Sequence, residues 1–185
     1  IELRFARRNL RLPVVLSREE SQRLLDGVQN KKHRLLLALA YGSGLRVSEV
    51  VNLKAKDIDL DRNLIVVREG KGGKDRIALL PAKLLSELRI LVGEKEGREI
   101  LFESERGGKL TTRTAQKVFE QALNRAGILK DASFHSLRHS FATHCLENGV
   151  DVRYVQTLLG HSNIRTTQRY TQVTQSSLGR IQSPL

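Results

Sequence analysis

Leu64-Ile65-Val66-Val67 and Arg76-Ile77-Ala78-Leu79-Leu80, joined by Arg68 and Glu69-Gly70-Lys71-Gly72-Gly73-Lys74-Asp75, are the stretch that decides the fold. Alternation and β-branched residues mark both runs as strands, and the Gly/Lys segment between them has turn chemistry, so the whole reads as a β-hairpin. Residues 57 to 60 add a candidate third strand. Outward from this hairpin the apolar spacing changes to the helical period on both sides. Upstream, Ser17-Arg18-Glu19-Glu20 is a capping-box pattern, and the helix after it uses Leu24, Leu25 and Val28. A second helix, 31 to 41, is apolar nearly all round and therefore buried. Gly42 and Gly44 are expected to end it, and a short helix begins near Val47 or Ser48. Downstream, 81 to 92 is helical, Ile100 to Phe102 is extended, and residues 106 to 109 form a loop. Helices follow over 112–126, 136–148, from the cap Asp151 to Gly160, and over 163–170, with Gly127 and Gly149 as stops. The fold class is α+β, mostly α, with a small antiparallel sheet.

The 185 residues suit one large domain, and 39% hydrophobic residues suffice for a core built mainly from Leu, Val, Ile and Ala. Thirty-two basic against 20 acidic side chains leave a formal charge of +12, which favours a polyanionic partner. Cys145 stands alone, so no intrachain disulfide forms, and its apolar setting suits an inert thiol. No apolar run has the length of a membrane span, and no leader is visible, so a cytoplasmic compartment is expected. The start at Ile1 rather than Met reads as a piece of a longer protein, with the basic residues 1–12 as an interdomain linker.

Four local patterns carry chemistry. They are Gly44-Leu45-Arg46-Val47-Ser48-Glu49, Gly70-Lys71-Gly72, His135-Ser136-Leu137-Arg138-His139, and Leu159-Gly160-His161 followed by Tyr170. Each has an ordinary reading by itself: a surface arginine, a solvated hairpin tip, a chance His-x-x-Arg, a packing tyrosine. His135 and His139 have the i, i+4 spacing of a zinc pair, but Ser136 stands where a metalloprotease has its glutamate, and no metal or other cofactor is expected. The glycine-lysine segment lacks the phosphate-loop pattern and sits in a hairpin rather than before a helix. Residues 154–170 also fit a helix-turn-helix, which would make the chain a DNA-binding module without chemistry.

Taken in order, the four patterns resemble the tyrosine recombinase (phage integrase) family from about Pro13 to the end, nearest to its Xer-type and integron-integrase branches. Lys56 to Asp59, Arg68 to Arg76 and Ser183-Pro184-Leu185 carry the integron-like likeness. The resemblance implies a catalytic domain over 13–175. It assigns Arg46 and Arg138 to the scissile phosphate, Lys71 to the hairpin lysine ahead of Lys74, His135 and His161 to the two histidine positions, and Tyr170 to the nucleophile. Glu49 and His139 match supporting positions. Gln172 departs from the usual histidine beyond the nucleophile. The family's N-terminal DNA-clamping domain is not expected within residues 1–185. The implied partners are double-stranded DNA and further copies of the chain, four on two DNA sites. The tail, 176–185, is placed to dock on a neighbouring subunit, with disorder as the alternative.

The residue types suit that chemistry. Guanidiniums stay charged and donate paired hydrogen bonds to phosphate oxygens as negative charge grows. A phenol of pKa about 10 stores the broken bond as a 3′-phosphotyrosine once its proton is removed. His135 suits that removal, and Lys71 suits protonation of the departing 5′-oxygen. A type IB topoisomerase would use similar chemistry, but the Gly-Leu-Arg and His-x-Leu-Arg-His boxes resemble the integrase version.

Overall fold

The computed structural model describes residues 12–68, 75–105 and 107–160. The described elements are α1 (Arg18–Asp26), α2 (Lys31–Ser43), α3 (Val47–Val51), β1 (Ile58–Asp59), β2 (Leu64–Val67), β3 (Arg76–Leu79), α4 (Leu85–Gly93), α5 (Thr112–Arg125), α6 (His135–Glu147) and α7 (Val152–Leu159). Single 3-10 turns at Ala55–Asp57 and Ala82–Leu84 precede β1 and α4. The architecture is α+β and mostly α. The expected helix over 163–170 lies outside the described residues, and so does the second half of the helix-turn-helix alternative.

The local signals act as expected. Ser17 accepts a hydrogen bond from the Glu20 amide at 3.1 Å, and the Glu20 carboxylate accepts from the Ser17 amide at 2.7 Å. That reciprocal pair satisfies two of the amides that a helix start leaves without partners. Gly44, Gly127, Gly149 and Gly160 all follow helices with positive φ. Gly42 does not end α2. It lies within the helix, where an added Cβ would meet Pro81 Cγ at 2.4 Å, so the glycine admits the chain that leaves the sheet.

Helix α2 is the centre of the core, with Leu35 through Ala40 all buried. Helices α1, α3, α5 and α6 and strand β3 pack around it. A second, smaller cluster of Phe141, Ala142, Val155 and Leu159 joins α6 to α7. The sheet is antiparallel in the order β1-β2-β3. Ile65 pairs with Ala78 and Val67 with Arg76, so these four residues share one face. Ile65, Val67 and Ala78 are buried on it. Arg76 therefore enters the protein from the core face of its strand, while Ile77 and Leu79 are left about half exposed. No described helix is long and apolar enough to cross a membrane.

Candidate active site

The chain leaves α2 through Gly44, whose φ of +63° lets it reverse direction at once. The amide of Leu45 then bonds back to Ala40 O at 3.0 Å, closing a Schellman-type cap. A side chain at Gly44 has no room. Its Cβ would lie 2.5 Å from Phe141 Cδ1 and 2.9 Å from Leu159 Cδ2. This close approach presents the Gly44 carbonyl to Arg138, whose Nη1 donates to it at 2.7 Å.

Two residues later Arg46 caps α3. Glu49 turns back on it, accepting from the Arg46 amide at 2.8 Å and from Arg46 Nη1 at 2.7 Å. The same carboxylate takes Arg76 Nη2 at 2.7 Å and lies 3.9 Å from Arg138 Nη1. Three guanidiniums thus surround one carboxylate, and three positive charges less one negative leave an excess of two. Burial alone would push the Glu49 carboxyl up. The Arg76 charge, the bonds from Arg46 and Arg76, and the Arg138 charge outweigh it and hold the carboxyl below its usual range.

The arginines differ in access. Arg138 is 1% exposed, and its Nη2 donates to Leu159 O at the end of α7. It is the floor of the site and ties the α2–α3 turn to α6 and α7. The Arg46 side chain keeps 22% exposure and is the open edge.

His135 and His139 stand one turn apart on α6, with ring centroids at 4.5 Å and rings nearly perpendicular. Lost hydration and the charges of Arg138 and Arg46 keep the His135 imidazole below its ordinary pKa, against a smaller pull from Glu49. His139 is pushed down to about 4 by burial, His135 and Arg138. Both rings are therefore neutral near pH 7, and a neutral imidazole can accept a proton.

The structure brings together Arg46, Glu49, His135, Arg138 and His139. Lys71, His161 and Tyr170 lie outside the described residues. Arg76 is the residue that motif reasoning passed over. The strand alternation groups Arg76 with Ala78 and Leu80, apart from Ile77 and Leu79, but gives no signal of which set turns inward. Cys145 is a free, partly buried thiol whose pKa burial raises, in keeping with an inert role.

Comparison with known proteins gives these residues a family context. The family model described as "Phage integrase family" matches residues 14–177. Tyrosine recombinase XerA of Thermococcus kodakarensis is 48% identical over 177 residues, covering 92% of this chain and 62% of that protein. The crystal structure of XerA recombinase superposes with a TM-score of 0.80 at 35% identity, over 92% of this chain and 64% of that one. XerH site-specific recombinase, solved bound to palindromic difH substrate in a post-cleavage complex, gives 0.77 at 30% identity, over 92% and 52%. The chain spans about three-fifths of the curated relatives it matches. A match over residues 14–177, a span that includes the residues converging at Glu49, places this protein in the phage integrase family.

Proposed function

We propose that this chain is the catalytic part of a site-specific tyrosine recombinase, which breaks and rejoins DNA through a covalent 3′-phosphotyrosyl intermediate. The observation that carries the reading is the cluster of three guanidiniums around Glu49 beside His135 and His139, in a member of this family. Such a cluster suits a phosphodiester, whose negative charge grows as phosphorus becomes five-coordinate.

In this reaction the Tyr170 oxygen attacks phosphorus and gives up its proton, with His135 as acceptor. The bond from phosphorus to the 5′-oxygen breaks, and Lys71 supplies the proton that leaves with it. Arg46 and Arg138 hold the non-bridging oxygens, and His161 donates to one of them. The products are a 3′-phosphotyrosine and a free 5′-hydroxyl. Attack by a 5′-hydroxyl of the partner strand reverses the sequence and reseals the DNA without an external energy source. Glu49 keeps the guanidiniums in register, and His139 backs His135. No metal is called for where this much fixed positive charge is present. The working assembly is four copies on two DNA sites, with the 176–185 tail docking on a neighbour, in the cytoplasm.

The test is covalent capture. A pool of nicked duplexes with a randomised centre is incubated with the chain and separated on a denaturing gel. An adduct that survives denaturation and is lost in Tyr170→Phe supports the reading. DNA that is retained under native conditions without ever forming an adduct points instead to a DNA-binding module.

A further inference from the structure

Arg76 belongs to none of the four motifs, yet its side chain joins the sheet to two elements of the helical site, α3 and α7. Its side chain is 9% exposed. Nη2 pairs with Glu49 at 2.7 Å, and Nη1 donates to Leu158 O in the last turn of α7. The contact with α7 is tight. A Cβ on Gly160 would lie 2.6 Å from Arg76 Cδ, so the glycine keeps this path open. On the other strand of the hairpin, Arg68 Nε donates to the buried Asp57 at 2.7 Å. The chain on both sides of residues 69–74 is therefore tied down by an arginine–carboxylate pair. Arg68 stands three residues before Lys71 and Arg76 five after it, while His161 follows directly on Gly160.

We propose that Arg76 is a positioning residue of the cleavage reaction: it locks the strand that follows Lys71 onto the same carboxylate that holds Arg46, with the last turn of α7 as a second anchor for its guanidinium. This rests on the proposed role of Lys71 as the acid for the leaving oxygen. A forked guanidinium suits the task, because one planar group reaches two acceptors on separate elements at once. A burial role alone would be served as well by an apolar side chain, since a buried ion pair seldom adds net stability over a hydrophobic replacement.

The experiment uses a nicked duplex captured by the chain, made in two forms. One has the normal 5′-oxygen at the scissile phosphate, and the other has a bridging sulfur there. A thiolate leaves without a proton, so the sulfur form bypasses the acid. Arg76→Ala should slow single-turnover cleavage of the oxygen form by roughly 100-fold, the lower end of what general acid catalysis contributes. Cleavage of the sulfur form should stay within about tenfold of wild type by the same measure. Arg76→Lys keeps the charge but not the fork, so it should show the same pattern more weakly, and it supplies the comparison if the alanine variant does not fold.

Lys71→Ala is run beside them. Rescue by sulfur in both the Lys71 and Arg76 variants supports the proposal. Rescue of Lys71→Ala without rescue of the Arg76 variants overturns it and leaves the acid assignment standing. Rescue of the Arg76 variants alone supports the positioning role and moves the acid to another group of the hairpin, Lys74 first. Rescue of neither overturns both.

Discussion

Gly44 and Gly127 share a φ of +63°, but their surroundings differ completely, and that pair isolates the packing that builds the site. An alanine at either position meets left-handed backbone strain of about 1–2 kcal/mol. At Gly127 nothing lies within 4 Å of the added Cβ, so strain is the whole cost. At Gly44 the Cβ also meets Phe141 Cδ1 at 2.5 Å, Phe141 Cε1 at 2.8 Å and Leu159 Cδ2 at 2.9 Å. Phe141 and Leu159 are buried in the α6–α7 cluster and cannot swing into solvent. Overpacking of that kind costs about 1–3 kcal/mol more, so Gly44→Ala should lose about 2–5 kcal/mol in total. For a chain of this size each kcal/mol moves the midpoint by roughly 2–4 °C. Thermal unfolding followed by circular dichroism should place Gly44→Ala well below Gly127→Ala. Gly44→Ala should also lose DNA cleavage, because the displaced turn carries the carbonyl that holds Arg138 Nη1. Gly127→Ala should cleave normally. Equal melting of the two variants would refute the claim that close packing against α6 and α7 fixes this turn.

The buried and open arginines should separate stability from activity. Arg138→Ala strips Gly44 O, Leu159 O and Glu49 of a buried partner and should cost about 3–5 kcal/mol, whereas Arg46→Ala, at the open edge, should cost about 1 kcal/mol or less. Both should cut cleavage by roughly 100-fold or more, and similar melting of the two would contradict the assigned difference in burial. Acid titration should show two windows. His139 is neutral in the folded chain down to about 4, whereas the unfolded chain takes up its proton near 6.5, so stability falls as pH drops from about 6.5 towards 4. The His139 share amounts to at most about 3 kcal/mol, since the ring is only partly buried, and His139→Gln should make the slope shallower, with the lowered His33, His135 and His144 supplying what remains. The Glu49 contribution is present above its unfolded value of 4.5 and is lost only below it, so Glu49→Gln should leave the upper window intact. An unchanged slope between pH 6.5 and 4.5 in His139→Gln would count against a desolvated His139.

Much of this molecule is local and was therefore legible in the chain. The Ser17–Glu20 box, the helix stops at Gly127, Gly149 and Gly160, and the β2–β3 pairing depend on a few neighbouring residues and their backbone preferences. The motif arginines were legible for a related reason. Gly44-Leu45-Arg46 and His135-x-x-Arg138 are short segments whose residue types suit phosphate chemistry, and Glu49 lies within one helical turn of Arg46.

Arg76 and Gly42 were not legible, for physical reasons that differ. Gly42 looks like a helix stop, and its true use depends on Pro81, which arrives from a distant part of the chain. At β3 the two-residue period fixes that Arg76, Ala78 and Leu80 share a face and that Ile77 and Leu79 share the other. It does not fix which face turns inward, and by hydrophobicity alone Ile77 and Leu79 would. The decision belongs to the tertiary structure. Helix α7 packs along β3, and Glu49 waits at the end of that contact to neutralise a guanidinium. Sequence alone determined which residue types suit a phosphate. Only the packing of α3, β3, α6 and α7 around one carboxylate decided that three arginines, rather than two, meet there, because a charge is buried only where its partner already is.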